Sequence, residues 1–351
     1  MGQAGAGAPP AAVASLPQAP GVYRFRDARA GVLYIGRAAN LRRRVASYWG
    51  DLGSRGHLAA MVARIDGVQA LVCDSEHEAA WLERNLLERR LPRWNRTAGG
   101  QEVPVYLRLD LRPRSAGLKV VHAVGAERDA RYFGPYLGGL RVRLAASALH
   151  RVLPIAYAAD GLRGSDRGMA AARGIVPGDR AALTETVVAV LERDAAAVTW
   201  FRHELERRRD GATAELSFEL AARIQAEIEA AAWVTAVQKV TQTSRDDADV
   251  HGWAVAGDGS AGGMLVSLAV RNGRLGEWRQ RSCTKATAAP LLATTPPAWA
   301  PFAHRNAELA ARLAGPAGRV AGGLAGDIGH AVQGPVQIRF VDHQRRREPD
   351  R

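Results

Sequence analysis

Two short β-prone runs, Gly21–Phe25 and Val32–Gly36, flank the six-residue segment Arg26–Gly31, which ends in glycine. Such runs with a glycine at the return predict an antiparallel hairpin. The residues after it predict its cover. Asn40 is a good N-cap for a helix over Leu41–Trp49, and a second helical pattern spans Arg55–Ile65. Val68–Cys73 reads as a third strand, and Ser75-Glu-His-Glu78 is a capping box opening a helix to about Arg90, stopped by Leu91-Pro92. The expectation is an α+β chain headed by a small module, a three-stranded antiparallel sheet flanked by helices, over residues 16–100.

Beyond it, Val105–Leu111 and Lys119–Val124 predict another strand pair, followed by Arg131-Tyr-Phe-Gly-Pro-Tyr136 and a helix over Leu140–Leu153. Asp160–Gly178, rich in Gly, Arg and Asp, reads as a linker, so residues 101–179 form a connecting region. Helical patterns at Arg180–Arg209 and Ala214–Thr241, separated by Asp210-Gly211, predict a helical hairpin over residues 180–245. Trp253–Ala256 and Met264–Val270, with an Asn272-Gly273 turn, predict a small strand-containing region over 246–351; past Pro290 it is weakly patterned and ends in the basic tail His343–Arg351. Residues 1–15 are low-complexity and read as a disordered leader. Gly138-Gly139 and Gly262-Gly263 read as turn signals, since neither belongs to a G-x-x-x-x-G-K-[ST] pattern.

Charge narrows the partner. Forty-eight basic side chains against 35 acidic give +13, and residues 1–150 hold 22 basic and 12 acidic, so +10 of it lies there. A field localised in this way is expected of a nucleic-acid-binding domain. All but three of the basic residues are arginine, which fits a GC-rich genome, so the sign matters here more than the residue type. Two cysteines, Cys73 and Cys283, are too few for a disulfide framework or a four-thiolate metal site and fit a reducing cytoplasm. No run of eighteen apolar residues and no signal-peptide pattern occur, so no membrane partner is expected.

In the hairpin, Tyr23 shares a strand face with Gly21 and Phe25 while Tyr34 lies on the neighbouring strand, so two phenols can converge. On the next helix Leu41, Arg44, Val45 and Tyr48 fall at i, i+3, i+4, i+7: two aliphatic residues pack, and an Arg and a Tyr present polar tips at the rim. Arg42 and Arg43 point elsewhere, toward solvent or phosphate. Glu83 sits among Ala79, Leu82 and Leu86, where burying a carboxylate is costly unless a cation compensates. One carboxylate with waters and phosphate oxygens suits Mg²⁺ or Mn²⁺. The nine histidines fall in no metal-ligand spacing.

Gly21-Val-Tyr23, Leu33-Tyr34-Ile-Gly36-Arg37, Asn40-Leu-Arg-Arg-Arg44-Val-Ala-Ser-Tyr48, Ser75–Leu86 and Pro92-Arg-Trp-Asn95 together resemble the GIY-YIG nuclease module, most closely that of UvrC, the nuclease subunit of bacterial nucleotide excision repair. Tyr132-Phe-Gly-Pro-Tyr136 is similar to a motif that follows this module in UvrC, and the resemblance spans about residues 16–290. It implies a metal-dependent endonuclease that nicks double-stranded DNA at a lesion or distortion, as the shortened, Cho-like homologues do. By the same resemblance Tyr34 is the base that activates water, with Arg37, Arg44 and the metal favouring its phenolate. Tyr23 and Tyr48 orient water and phosphate, Arg44 holds a phosphoryl oxygen, Glu83 binds the metal, and Asn95 fixes the nuclease core or the phosphate.

Several positions depart from that pattern. Arg37 stands where UvrC generally has lysine, which keeps the charge but cannot act as a neutral amine. Ile155–Gly178 contains no cysteine, so no iron–sulfur cluster is expected. Arg96–Glu102 replaces an acidic, lysine-bearing segment. Leu216–Ile228 resembles the UVR motif that docks on UvrB, with Phe218 and Glu219 as the partner-binding residues, though Gln225-Ala226 replaces its Arg-Asp pair; an ordinary amphipathic hairpin packing on its own domain is the competing reading. Two other functional readings stand beside the nuclease: a catalytically weak DNA- or UvrB-binding adaptor, and a nuclease subunit working with a separate exonuclease chain.

Overall fold

A short helix, α1 (Ala11–Ala14), precedes the hairpin and buries Ala12 and Val13 against it. The computed structural model describes residues 11–50, 52–96, 102–237, 239, 247–256 and 262–314. The end of the expected disordered leader is therefore helical and packed, because its alanines and valine find an apolar surface; its first ten residues lie outside the described ones, as does the basic tail.

Strands β1 (Gly21–Arg26) and β2 (Val32–Ala38) form the hairpin, closed by Asp27, whose Oδ1 accepts from the Arg29 and Gly31 N–H groups at 3.0 and 2.8 Å. Helix α2 (Leu41–Ala46) starts where Asn40 Oδ1 accepts from the Arg43 N–H at 2.9 Å, and it stops short of Tyr48. A 3₁₀ turn over Gly53–Leu58 leads into α3 (Ala59–Val62), in place of the single helix expected. Strand β3 (Gly67–Val72) completes an antiparallel sheet of order β2-β1-β3. Helix α4 (Glu76–Arg89) is capped as its sequence requires, Ser75 Oγ accepting from the Glu78 N–H at 3.1 Å. The wholly buried Glu78 carboxylate caps the Asp74 N–H at 2.7 Å and that of the distant Lys239 at 2.6 Å.

A second sheet, order β5-β4-β6, comprises β4 (Pro104–Asp110), β5 (Leu118–Val121) and β6 (Ala130–Leu137), the last holding the Tyr132–Tyr136 motif. Helix α5 (Gly139–Val152) covers it. The expected linker Asp160–Gly178 instead contains α6 (Gly164–Ala172), followed by α7 (Arg180–Leu191), α8 (Ala195–Ala214) and α9 (Phe218–Val234). Helix α8 begins at Asp194, whose side chain accepts from the Ala197 N–H, and runs through the exposed Asp210-Gly211. Glycine in an exposed turn of helix costs only about 1 kcal/mol, so the hairpin bends later, at Leu216 with φ 55°.

The third sheet, β7 (Ala248–Val255), β8 (Gly262–Arg271) and β9 (Arg274–Thr284), has the expected Asn272-Gly273 turn, with φ values of 51° and 68°. Then come α10 (Lys285–Leu292) and α11 (Ala300–Ala314), in a stretch expected to be weakly patterned; α11 is nonetheless amphipathic, burying Phe302, Leu309 and Leu313 and exposing His304, Glu308 and Arg312. Helix α11 ties the sheets together: Leu309 and Leu313 share a core with Tyr23, Phe25 and Tyr48, while Phe302 and Ala307 share one with Val22, Val250 and Val266. Asn306, wholly buried, closes the open edge of β3, its Oδ1 accepting from the Val72 N–H at 2.7 Å and its Nδ2 donating to the Val72 carbonyl at 3.2 Å. Asn306→Leu keeps the volume but strands the Val72 N–H, leaving the Val72 carbonyl only Arg305 Nη2 at 3.4 Å, so urea denaturation should show a loss of about 1–3 kcal/mol; an unchanged midpoint would show that α11 does not support the first sheet.

Candidate active site

Glycine makes the convergence of tyrosines possible. Tyr23 pairs across the hairpin with Gly36, where a Cβ would stand 2.5 Å from Tyr23 Oη and 2.8 Å from Tyr34 Cε1. A Cβ on Gly21 would stand 2.2 Å from the Leu71 carbonyl oxygen. With both positions bare, the rings of Tyr23, Tyr34 and Tyr48 form a triangle with centroids 6.3, 6.0 and 6.0 Å apart. Tyr23 and Tyr48 hydroxyls share a hydrogen bond of 2.8 Å. Tyr48 is buried rather than set at the rim, because the chain turns inward after α2 and carries its ring onto Phe25, 4.9 Å away. Tyr34 is half-buried.

Burial, followed by the neighbouring Tyr48, pushes the Tyr34 phenol well above its ordinary range, and burial does the same to Tyr23. Arg44, its guanidinium 5.5 Å from the Tyr48 ring centre, opposes this without overcoming it. Burial works against the Arg44 charge as well, but Tyr23 and Tyr48 carry it above its ordinary value. Without a metal on Glu83, Arg44 alone does not bring the Tyr34 phenol toward its phenolate. Arg37 is engaged elsewhere: its Nε lies 3.4 Å from Glu83 Oε2 and its Nη2 3.2 Å from Glu102 Oε2.

Glu83 projects from α4 beside this cluster. Burial raises its carboxyl to about 7 against the pull of Arg37, and the Glu102 charge adds to the rise. The compensating cation, expected from the sequence to be a metal, is here supplied by Arg37. Glu102, marked in the sequence only as part of a substituted segment, is a second carboxylate at the site, its backbone carbonyl held by Arg84 Nη1 at 2.5 Å. Nothing in the residues around Glu102 signals this, because Arg37 reaches it across 65 positions. Among the described residues no group of three His, Cys, Asp or Glu converges to hold a metal. A half-buried carboxylate, partly desolvated and paired with a guanidinium, fits an oxygen-ligated divalent cation that keeps most of its waters.

Asn95 faces the core. Its Nδ2 donates to the Ile35 carbonyl at 2.8 Å and its Oδ1 accepts from the Ile35 N–H at 3.0 Å, fastening the segment after α4 to β2. Of the two roles left open for it, fixing the module is the one its hydrogen bonds serve.

The profile of the UvrC-like GIY-YIG domain matches residues 19–96. Residues 19–96 are a UvrC-like GIY-YIG domain. UvrABC system protein C of Desulforudis audaxviator is 32% identical over 275 residues, covering 75% of this chain and 43% of its own length. That of Trichlorobacter lovleyi is 37% identical over 145 residues, 41% of this chain and 24% of its own. The chain thus spans less than half the length of these curated relatives. Among solved structures, the GIY-YIG N-terminal endonuclease domain of UvrC from Thermotoga maritima, described as bound to magnesium as its catalytic divalent cation, is 30% identical over 24% of this chain and 91% of that one, with a TM-score of 0.22.

The GIY-YIG domain contains Tyr23, Tyr34, Arg37, Arg44, Tyr48, Glu83 and Asn95, and its own fold brings all but Asn95 to the tyrosine–carboxylate cluster. Arg42 and Arg43 are exposed on α2, outside the cluster; Arg42 Nε donates to the Leu16 carbonyl at 2.7 Å, so this side chain also holds the incoming chain. Phe218, 61% exposed, and Glu219 begin α9, outside this domain. No helix among the described residues is long and apolar enough to cross a membrane.

The Glu83 carboxyl gives a stability signature. Its folded value of about 7 exceeds the ordinary 4.5 of an unfolded chain, so folding carries no penalty below that lower value. Between the two the unfolded chain has released the proton and the folded one has not; stability therefore falls as pH rises, by at most on the order of 3 kcal/mol. Glu83→Gln should gain stability relative to the parent on going from pH 5 to pH 8 in metal-free thermal melts. A difference independent of pH would show that the carboxyl titrates normally.

Proposed function

We propose that the protein is a metal-dependent DNA endonuclease that nicks duplex DNA at a lesion or distortion, in a pathway of the excision-repair kind. One juxtaposition carries this reading: three tyrosine hydroxyls and Arg44 beside a half-buried carboxylate paired with Arg37 and positioned at an accessible edge. Phosphodiester hydrolysis needs a positioned water, positive charge on the phosphoryl oxygens and help for the leaving alkoxide. The curated relatives, UvrABC system proteins C, support the choice of substrate.

In this reading Glu83 holds a divalent cation, Mg²⁺ or Mn²⁺, with waters completing its shell. Such an ion supplies positive charge at the phosphoryl and leaving oxygens. Arg37 then turns from Glu83 toward the substrate while Glu102 keeps it within reach. Arg44, always charged, takes a non-bridging phosphate oxygen. Tyr34 Oη, the most accessible of the three phenols, first gives up its own proton to solvent as positive charge assembles around it, and the resulting phenolate takes the proton of the attacking water, whose direction Tyr48 and Tyr23 fix. Because burial raises Tyr34, this proton transfer depends on the positive charge assembled around it. Arg43 on the exposed face of α2 contacts backbone phosphate, and Arg42 adds charge there. Phe218, with the neighbouring exposed Leu216 and Leu220, offers an apolar ridge for a UvrB-type helicase, beside Glu219.

The adaptor reading rests on a specific observation too: Arg37 closes on both Glu83 and Glu102. A duplex with one bulky adduct, incubated with Mg²⁺ or Mn²⁺ with and without a UvrB-type helicase, separates the two. Tyr34→Phe should keep the fold and lower nicking by roughly 10²–10⁴, and Glu83→Ala should abolish it. Phe218→Ala should nick naked DNA normally and lose only helicase-dependent stimulation. A parent protein that binds DNA but never nicks under either metal would establish the adaptor instead.

A further inference from the structure

A cleft of about 750 Å³ opens from Arg37 to the start of α5, with Trp233 of α9 on one wall. At its far end lie Gly138-Gly139, which read in the sequence as a turn. In the structure these glycines leave the N-terminus of α5 bare. Gly138 is the N-cap with φ 137°, no side chain caps the helix, and its first turn contains no acidic residue. A Cβ on Gly138 would meet Trp233 at 3.2 Å, and one on Gly139 would lie 3.6 Å from Arg143 Nη1, so the Arg143 guanidinium folds back over this terminus.

This arrangement is unfavourable to the protein alone. A helix N-terminus carries partial positive charge and unpaired N–H groups and is stabilised by anions, yet two arginines, Arg141 and Arg143, occupy its opening residues. Arg141 lies across the Trp233 ring at 5.5 Å and reaches Glu76 only at 3.8 Å. Arg143 has no carboxylate partner among the described residues. A second observation points independently to a ligand. His77, 1% exposed, lines the same cleft; its Nε2 is engaged by the Pro135 carbonyl at 2.9 Å, and its Nδ1 has no hydrogen-bond partner.

We infer that this cleft holds a backbone phosphate of the DNA strand running to the Glu83–Tyr34 site, gripped by Arg143, Arg141 and the bare N–H groups opening α5. The inference rests on the nuclease reading for what lies at the Arg37 end and extends the DNA-binding surface beyond the GIY-YIG domain. A phosphate there pairs with the guanidiniums and the helix terminus at once. The stacked Arg141–Trp233 pair offers sugar and base contacts that an inorganic anion would not use.

The test uses the full chain without divalent metal. For Arg141→Gln/Arg143→Gln, DNA affinity at low salt should fall about 10-fold, and the slope of log affinity against log salt should shrink by about one to two. The free variant should melt close to the parent, since the like charge removed at the helix N-terminus offsets the loss of Arg141's contacts to Trp233 and Glu76. An affinity and slope equal to the parent's would overturn the proposal, as would a lower melting temperature accounting for the lost binding. Inorganic phosphate alone provides the other arm: if it raises the parent's melting temperature and not the variant's while DNA binding is unchanged, the cleft is a free-anion site and the DNA assignment fails. Failure of the nuclease reading looks different, because Tyr34→Phe and Glu83→Ala would then nick as the parent does whatever the cleft variant binds.

Discussion

A half-buried carboxylate beside phenols is the constraint around which the first sheet is arranged. Glu83 reaches its place because α4 is pinned at its start by Ser75 and packed by Trp81, Leu82 and Leu86, and its charge is tolerated there because Arg37 on β2 stands 3.4 Å away. A partly desolvated carboxylate with one cation is a poor device for stability alone, since the cost of desolvation offsets much of the pairing. It is well suited to exchanging one cation for another. Arg37 keeps its hold on Glu102 at 3.2 Å, so it can leave Glu83 without becoming unpaired.

The tyrosine triangle depends on the same geometry. Gly36 removes the one atom that would separate Tyr23 from Tyr34, and the inward turn after α2 delivers Tyr48 to complete the contact. Packing and chemistry are therefore not separable here: the hydroxyls that can orient water belong to rings that also fill the core with Phe25 and Leu41. The more distant elements matter for the same reason. Helix α11 closes the open edge of β3 through Asn306 and reaches Tyr23's core through Leu309 and Leu313, so a helix near residue 310 supports a site built largely from residues 23–83.

Much of this is legible in the sequence. The hairpin, the Asn40 and Ser75 caps and the Asn272-Gly273 turn are local signals, and each is where its residues place it. The helical break lies later than Asp210-Gly211 because an exposed Gly211 is tolerated in a helix, whereas Leu216 at φ 55° is imposed by how α8 and α9 meet. Helix α11 has an amphipathic pattern of its own, with Phe302, Leu309 and Leu313 on the buried face against exposed His304, Glu308 and Arg312, and the Ala- and Pro-rich residues before it dilute that signal. Among the site residues, the spacing of Tyr23, Tyr34, Arg44, Tyr48 and Glu83 foretells a cluster, but the depth of Tyr48 and the diversion of Arg37 to Glu83 and Glu102 are tertiary facts. The upward shift of Tyr34 comes from burial and the neighbouring Tyr48, which are tertiary facts too.

The central claim is that Glu83 is an exchangeable cation site, with Arg37 as its resting occupant. Calorimetric titration of Mn²⁺ into the full chain at pH 8, where the Glu83 carboxyl is ionised, tests it without recourse to activity. The account predicts one specific site in the parent, absent in Glu83→Gln and retained in Tyr34→Phe. Equal Mn²⁺ binding by the parent and Glu83→Gln would contradict it and leave the Arg37–Glu83 pair a structural contact.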